Sequence, residues 1–366
     1  MRISGKSSQR DLQPGRHQTA VYVWIEINYG LIDLKRGTMP RLSNVEKVNS
    51  NSFESADNIS STSEVPHIHE EEKGIQFFGG KCTLRVANRL ELRQQAYKLL
   101  YNIYLKSGLA KKNDSGLWLS IYDALPDTTT LVAEDEKGQI LGALTLVFDS
   151  PIGLPSDNLY KAEIDELRHA KKQICEIVSF SINTKAKSSI KVLAGLFYCS
   201  YLFALRIKNS TDFIITVNPC YNKLYCQKLL FHKIGPEKNY AKVNGAPAVL
   251  LDLSLNMPSI LKHKRRIFPL YMLDYSEREE FVIAERIQDM HCPMSDEEFY
   301  TFFIEKTNVW EMASLTQKEY LKKISAGRKA DHFSISRALA KGISRKLQDN
   351  QTVYQDSEAK TIKGYK

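Results

Sequence analysis

The longest apolar run of the chain, Val192 to Leu205, constrains its fold more than any other feature. The run has about 14 residues and is closed at its ends by Lys191 and Arg206. Because a membrane-spanning helix needs roughly 20 apolar residues, this run predicts a helix buried inside a globular domain. The polar N-terminus shows no apolar signal region. We therefore expect a soluble, cytoplasmic protein.

The charge of the chain indicates an acidic partner. The 366 residues are 43% hydrophobic and 25% charged, and the formal net charge is +9. An anionic lipid, an acidic carrier protein and nucleic acid all fit that charge. The basic runs lack the interleaved aromatic residues of nucleic-acid platforms, so we expect no nucleic-acid binding. The six cysteines form no close C-x-x-C pair, which predicts reduced thiols.

Three segments differ in composition. Residues 1–75 are polar and predict a mostly disordered leader, with one possible hairpin within 20–34. Its H-x-H pair, His67 and His69, has no third ligand nearby, so we predict a solvated loop and no metal site. Residues 76–257 carry the strand and helix patterns of an α/β domain. Residues 258–366 predict a basic, helical extension that either is solvated or docks an acidic partner or a membrane surface.

The hydrophobic periodicity of the middle segment predicts a mixed sheet flanked by helices. The predicted strands are 83–86, 130–134, 140–148, 174–182, 213–217 and 248–253. The predicted helices are 91–105, 159–169, 188–208 and 222–230, followed in the extension by 275–289, 295–307, 316–324 and 333–347.

Glu176 lies in the most β-prone strand, among Ile, Val and Phe. A carboxylate buried there must be paired or hydrogen-bonded. Desolvation would raise its pKa toward the range of a general base for an amine. An ordinary carboxylate at an exposed strand end is the alternative.

Asn218 and Pro219 end a predicted strand, and Tyr225 follows on the next helix. The proline stops the ladder and sets a turn, which brings the start of the helix beside the strand end. A phenol at that place can protonate a departing thiolate. The alternative is a tyrosine that only packs in the core.

The tract VNPCYNKLYCQKLLFHKIG…YAKVNGAPAVLLDL, Val217 to Leu253, resembles the motif of long-chain N-acyl amino acid synthases, V-N-P-x-H-x-x-F-Y-x-x-x-L-G-F followed by V-N-x-x-P-A-x-L-L. The upstream tracts RVANRLELRQQAYKLLYNIYLKSG and GLPSDNLYKAEIDELRHAKKQICEIVSFSI are similar to that family's opening and to its Glu-bearing strand. The resemblance runs in the same order from about Leu84. It implies a GNAT-like fold, related to that of acyl-homoserine-lactone synthases, and transfer of a long acyl chain from acyl carrier protein to an amino acid.

The resemblance assigns roles to particular residues. It implies that Glu176 is the base and Tyr225 the acid. Other positions that match the motifs, and a backbone segment expected to bind the thioester oxyanion, make up the predicted substrate site: Asn218, Tyr221, Asp157, Arg168, Ser179, Phe180 and Ser181. Leu196, Phe197 and Tyr201 are predicted either to line an acyl tunnel or to pack as ordinary core.

Three positions depart from the family pattern. Tyr221 stands in place of the usual His, Leu100 in place of a common Arg, and Leu230 in place of a Gly. The stretch 185–191 also lacks the glycines with which coenzyme A-dependent enzymes approach a pyrophosphate. This favours acyl carrier protein over coenzyme A as donor of the acyl-phosphopantetheine thioester, and no permanent cofactor is expected.

Three alternatives remain open at the level of sequence. In the first alternative the chain is a short-chain acetyltransferase that uses acetyl-coenzyme A. In the second it is a module that binds acyl groups without catalysis. An acyl-homoserine-lactone synthase is disfavoured. Those enzymes usually have an E-x-S-R motif in this strand, whereas this chain reads Glu176-Ile177-Val178-Ser179, without the Arg.

Overall fold

The computed structural model describes residues 74–77, 82–183, 189–255 and 276–326. Several sequence features lie outside these ranges: the leader up to residue 73 with its H-x-H pair, the basic run 262–266, the predicted helix 333–347 and most of the stretch 185–191. None of the helices within the ranges is both long and apolar enough to cross a membrane.

Among the described residues, nine strands form the central sheet. They are β1 (Ile75–Phe77), β2 (Cys82–Val86), β3 (Thr129–Glu134), β4 (Ile140–Phe148), β5 (Ile174–Ile182), β6 (Asp212–Val217), β7 (His232–Lys233), β8 (Lys238–Tyr240) and β9 (Ala246–Ser254). Their spatial order is β1-β2-β3-β4-β5-β6-β9-β7, and β8 pairs with β9. Every pairing is antiparallel except that of β5 with β6, which is parallel.

The part of the chain that the structure describes also has eight helical segments, which surround the sheet. They are α1 (Leu90–Lys106), α2 (Asp157–His169), α3 (Ser189–Leu202, continuing as a π-helix over Phe203–Ile207), α4 (Asn222–Lys228), α5 (Glu277–Met290), α6 (Asp296–Phe299, continuing as a π-helix over Tyr300–Glu305), α7 (Val309–Met312) and α8 (Leu315–Ala326). Short 3₁₀ turns cover Ile121–Ala124, Pro219–Tyr221 and Ala241–Val243.

Each face of the sheet carries its own apolar cluster. On one face, α3 and α5 pack on β2 to β6, and the largest cluster of the core includes Leu196, Phe213 and Ile287. On the other face, α1, α2 and α6 enclose a second cluster that includes Tyr160 and Phe302. The C-terminal helices thus contribute side chains to both clusters.

The predicted mixed sheet flanked by helices, with a helical C-terminal part, is confirmed. The six predicted strands are present, with small shifts of their ends. The periodicity misses β1, β7 and β8, which have two or three residues each. Strand β1 begins at Ile75, one residue before the predicted start of the domain.

Candidate active site

Strands β5 and β6 are paired with each other only over the first three residues of each strand. Their parallel pairing covers only three residue pairs and ends where Glu176 lies beside Ile214. Strand β5 continues to Ile182 and β6 to Val217 without further pairs between them. Both strands change from buried to half-buried residues shortly after the last pair. The sheet therefore opens into a fork, defined here as the space between residues 177–182 and 215–217.

Glu176 is buried at the base of this fork. Only 2% of the residue is exposed, which excludes the exposed strand end considered from sequence. Its carboxyl group accepts a hydrogen bond from the backbone N–H of Ser156 (3.0 Å) and another from the Ser156 hydroxyl. That hydroxyl lies 2.6 Å from the hydroxyl of Thr216 on β6. A chain of hydroxyl groups therefore links the carboxyl of Glu176 to the margin of the fork.

Burial raises the pKa of Glu176 from 4.5 to about 7. The two hydrogen bonds from Ser156 and the charge of Lys242 oppose that rise, and Asp157 adds to it. A carboxylate with a pKa near neutrality takes up and releases protons readily at physiological pH, which is the property of a general base.

Asp157 and Arg168, predicted to contact substrate, hold the loop that carries Ser156. The guanidinium of Arg168 donates hydrogen bonds of 2.7–2.8 Å to the carboxylates of Asp149, Asp157 and Asp165. Asp157 in turn accepts from the backbone N–H of Leu154 (2.6 Å). Both charged groups are engaged within the protein, so their visible task is to position the loop.

Gly153 shows how closely that loop is built. Its φ is +75°, and a Cβ at this position would meet the carboxylate of Asp157. No other residue type fits both the backbone angle and the approach of the carboxylate.

A β-bulge in β5 shapes one wall of the fork. Thr145 of β4 lies opposite Val178, whereas Ala143 lies opposite Ser181, so one residue of β4 faces two of β5. Within the bulge, Ser179 has a φ of +54°, which is unusual for a residue other than glycine. The predicted oxyanion segment, Ser179 to Ser181, is therefore the irregular part of the strand, where N–H groups turn away from the ladder.

Two side chains of this segment have distinct surroundings. The ring of Phe180 packs edge-on against Phe197 with centroids 5.2 Å apart. The hydroxyl of Ser181 is buried and has no hydrogen-bond partner among the described residues.

Asn218 ends β6 and starts the turn that follows. Its side-chain oxygen accepts a hydrogen bond from the N–H of Cys220 (3.1 Å), which caps the 3₁₀ turn, with Pro219 in the first position. The predicted strand end and helix start are thus present, and the visible task of the Asn218 side chain is a cap. Tyr221 is half-buried and packs at the border of the largest cluster.

Tyr225 lies on α4, the helix that follows the turn after β6. Its ring is buried in the largest cluster and packs edge-on against Phe231 with centroids 5.6 Å apart. Burial and, secondly, the nearby phenol of Tyr104 raise the pKa of Tyr225 above its usual value. A phenol in this state keeps its proton at neutral pH and is a donor. The structure brings the Tyr225 phenol near Tyr104 of α1, not into direct contact with Glu176.

Several phenols lie within electrostatic range of Glu176 or of Tyr225. Burial and, next, the charge of Glu176 raise the pKa of Tyr240, and Tyr122 and Tyr104 act in the same direction. The phenol of Tyr104 therefore lies within electrostatic range of both Tyr225 and Tyr240. This places the acid candidate and the base candidate at opposite ends of one polar cluster.

The three residues predicted as tunnel or core pack as core. Leu196, Phe197 and Tyr201 are buried members of the largest cluster. The pKa of Tyr201 is raised by burial and then by the charge of Glu280 on α5. A tunnel along these residues stays a prediction.

Sequence reasoning missed four residues around Glu176: Ser156, Thr216, Tyr240 and Lys242. Three of them lie in loops or in a short edge strand, where periodicity gives no signal. The resembling tracts GLPSDNLY and YAKVNGAPAVLLDL contain Ser156, Tyr240 and Lys242, and the resemblance was the available clue to these three residues.

Residues 95–254 match the family model described as FeeM, N-acyl amino acid synthase FeeM. Over this segment the chain is similar to the N-acyl amino acid synthase family. The FeeM-type segment covers β3 to β9 and most of α1, and thus the fork, Glu176 and Tyr225. The family is one of acyltransferases. A comparison with curated protein sequences finds no significant match.

Two solved structures illustrate relatives of the FeeM-type segment. The N-acyl amino acid synthase FeeM from uncultured soil microbes is 22% identical, covers 52% of this chain and 97% of its own, and has a TM-score of 0.44. The acyl-homoserine-lactone synthase LasI is 18% identical, covers 51% of this chain and 95% of its own, and has a TM-score of 0.39. Both TM-scores are below 0.5, so the fold is argued from the strand order and the family match.

Proposed function

We propose that this protein transfers a long fatty acyl chain from an acyl carrier protein thioester to the amine of an amino acid, giving an N-acyl amino acid. The observation that carries the proposal is the buried carboxyl of Glu176 at the base of the fork, with its pKa near 7. The family match supports the reaction class, acyl transfer that makes an N-acyl amide.

The chemical step joins nitrogen to carbon and separates carbon from sulfur. The amine nitrogen attacks the thioester carbonyl carbon, and Glu176 accepts the proton that the amine loses, either directly or through the hydroxyl chain of Ser156 and Thr216. When the tetrahedral intermediate collapses, the pantetheine thiolate leaves with the electron pair of the C–S bond. Tyr225 protonates that thiolate.

The oxyanion of the intermediate needs hydrogen-bond donors that are in place before the reaction. Backbone N–H groups in the segment Ser179 to Ser181 serve this task in our proposal. The bulge supports it, because it takes this segment out of regular pairing next to the fork.

The basic character of the chain supports a carrier protein as donor. Carrier proteins are acidic, and charge complementarity increases the rate and specificity of docking. The net charge of +9 includes the basic extension, whose described part ends at Ala326. The same extension is proposed as a peripheral membrane contact, and the cytoplasm as the place of action. The acyl tail is proposed to enter beside Phe180 and Phe197.

The decisive experiment offers both donors at once. The purified protein is incubated with long-chain acyl carrier protein or with the matching acyl-coenzyme A and a mixture of the common amino acids, and products are identified by mass spectrometry. We expect N-acyl amino acids, formed faster from the carrier protein. Faster transfer from coenzyme A would overturn the donor assignment, and a product only with acetyl-coenzyme A would point to an acetyltransferase.

Glu176→Gln tests the base, because the amide keeps the shape but not the proton affinity of the carboxylate. We expect turnover to fall by about 10²–10⁴-fold. Glu136→Gln, the same change in an exposed turn between β3 and β4, should leave turnover unchanged. A bound acyl group without any turnover in the unmodified protein would show a binding module and end the proposal.

A further inference from the structure

The carboxyl group of Glu176 is covered within the protein. The residue is 2% exposed, and Ser156, which supplies both of its hydrogen-bond donors, is 1% exposed. The backbone N–H of Ser156 donates to Oε2 (3.0 Å) and the Ser156 hydroxyl donates to Oε1 (2.5 Å), so each carboxyl oxygen has a protein partner. An amine in the fork therefore cannot touch this carboxyl group while these contacts are in place.

Thr216 is the member of the hydroxyl chain that lies at the fork. It follows Ile214, the last residue of β6 that pairs with β5, by two positions, and it is half-buried. Because side chains alternate along a strand, Thr216 and Ile214 share a face, and Ile214 is the register partner of Glu176. The Thr216 side chain therefore lies on the same face of the sheet as Glu176, where the two strands have already separated.

The number of protons sets the direction of the hydrogen bonds. Ser156 has one hydroxyl proton, which it donates to the carboxylate of Glu176 over 2.5 Å, a distance typical of a charge-assisted bond. The contact of 2.6 Å between the hydroxyl oxygens of Ser156 and Thr216 therefore uses the proton of Thr216. Both hydroxyl groups thus donate toward Glu176, and the Thr216 oxygen can accept a proton from a bound molecule.

We propose that Thr216 is the group that touches the acceptor amine, and that Ser156 passes the proton on to Glu176. The inference rests on the proposed function and selects the relay over direct transfer. As the amine nitrogen bonds to the thioester carbon, its proton passes to the Thr216 oxygen. The Thr216 proton passes to the Ser156 oxygen, and the Ser156 proton to Glu176. One N–H and two O–H bonds break and three O–H bonds form, so both hydroxyl groups end with the one proton they began with.

The relay allows one carboxyl group to be both buried and reactive. Burial raises the pKa of Glu176 to about 7, and this pKa depends on keeping the carboxyl group away from solvent. Direct contact with a substrate amine would open these surroundings. Through two hydroxyl groups, the proton reaches Glu176 while the surroundings of the carboxyl group stay closed.

Turnover of Thr216 variants tests the relay. Thr216→Val removes the hydroxyl and keeps the branched shape, so kcat should fall by about 10²-fold or more, with little change in KM for the thioester. Thr216→Ser keeps a hydroxyl and should keep most of kcat. Thr211→Val, at an exposed position just before β6, is the matched control and should leave kcat unchanged.

A double variant separates a relay from two independent effects. Thr216→Val combined with Glu176→Gln should be no slower than Glu176→Gln alone, because the losses of groups that act as one unit are not additive. Full turnover of Thr216→Val, equal losses in Thr216→Val and Thr216→Ser, or losses that multiply in the double variant would overturn the relay.

The hydrogen-bonded chain is also measurable without turnover. Carbon-13 NMR of the side-chain carboxyl carbon reports the pKa of Glu176, with the signal assigned by its loss in Glu176→Gln. Ser156→Ala removes a hydrogen bond that lowers this pKa and should raise it. Thr216→Val should raise it by less, because it only weakens that hydrogen bond. An unchanged pKa in either variant would overturn the chain, whereas both shifts without any N-acyl product would keep the chain and overturn the proposed reaction.

Discussion

Glu176 keeps a titratable carboxyl in a place that is only 2% exposed. Two hydrogen bonds, both from Ser156, stabilise the charged form, whereas burial favours the neutral form more strongly. The carboxyl group is therefore about half protonated at neutral pH. The chemistry of the site therefore depends on a balance between one loop residue and the apolar surroundings.

This balance predicts how stability depends on pH. Because folding raises the pKa of Glu176 from 4.5 to about 7, the group stabilises the fold below about pH 4.5, and that stabilisation is lost as the pH rises through 7. Glu176→Gln should therefore gain stability relative to the parent over this window, by roughly 3 kcal/mol. Urea unfolding at pH 4.5 and pH 8 measures it. Unfolding free energies that differ by the same amount at both pH values would contradict the assignment.

Replacing Tyr225 by Phe should lower turnover and leave the stability of the fold nearly unchanged. Tyr225→Phe removes the hydroxyl and leaves the ring against Phe231, so the melting temperature should change by no more than a few degrees. Turnover should fall by about 10²-fold or more if this phenol protonates the thiolate. Steady-state kinetics with the thioester varied gives kcat and KM separately. The fall should be in kcat; a change in KM alone would assign the hydroxyl to binding.

At the scale of elements, the bulge in β5 concentrates strain at the fork. Ser179 holds a left-handed backbone angle inside a strand, a conformation that costs a residue other than glycine of order 1 kcal/mol. Nothing in the sequence marks this position, since the letters around it read as a regular strand. Strain of this kind persists where the surrounding structure enforces it, and here the flanking residues Val178 and Ser181 are paired with β4.

The strain at Ser179 is measurable. Ser179→Gly should stabilise the protein by about 0.5–1 kcal/mol, because glycine adopts the angle freely, and Ser179→Val should destabilise it by about 1–3 kcal/mol. Ser254→Gly in the regular strand β9 serves as control and should be destabilising. Thermal unfolding monitored by circular dichroism provides the comparison. A destabilising Ser179→Gly would mean that the backbone at this position is regular.

Long apolar or alternating elements follow directly from the sequence, whereas short ones do not. Strands β4, β5 and β9 have nine residues each, enough to display their pattern. Strand β8 has three residues, too few to carry a period. Periodicity therefore gives no signal at Tyr240 or Lys242, although both lie in a tract that resembles the family. Their partners are set by tertiary packing, which only the fold reveals.

At the scale of the molecule, the C-terminal helices and the sheet domain form one unit. Arg93 of α1 makes a buried ion pair with Glu298 of α6 (3.0 Å) and donates to the carbonyl of Cys292 (2.7 Å). Asn88 donates to the carbonyl of Met290 at the end of α5. The sequence shows that these C-terminal segments are helical, but it does not show that they complete both clusters of the core.

This ion pair predicts coupling across the molecule. Arg93→Met leaves a buried carboxylate without its partner and should cost about 3–5 kcal/mol. Arg93→Met combined with Glu298→Gln should recover part of that loss, since no buried charge remains. A double-mutant cycle in urea, with Arg85→Met on the more exposed pair with Glu134 as reference, isolates the coupling. Additive effects of the two changes would show independent units.

Beyond Glu176 and Ile214, strands β5 and β6 no longer pair with each other. Both strands therefore have main-chain groups that face the fork. An extended molecule with amide groups of its own can bind between the two strands and form hydrogen bonds with these groups, as an added β-strand does. Phosphopantetheine has that character. We therefore expect those amide hydrogens of residues 177–182 and 215–217 that are not bonded to β4 or β9 to exchange quickly in the empty protein and to be shielded when the donor arm enters, whereas the amides of the paired residues 212–214 stay protected throughout.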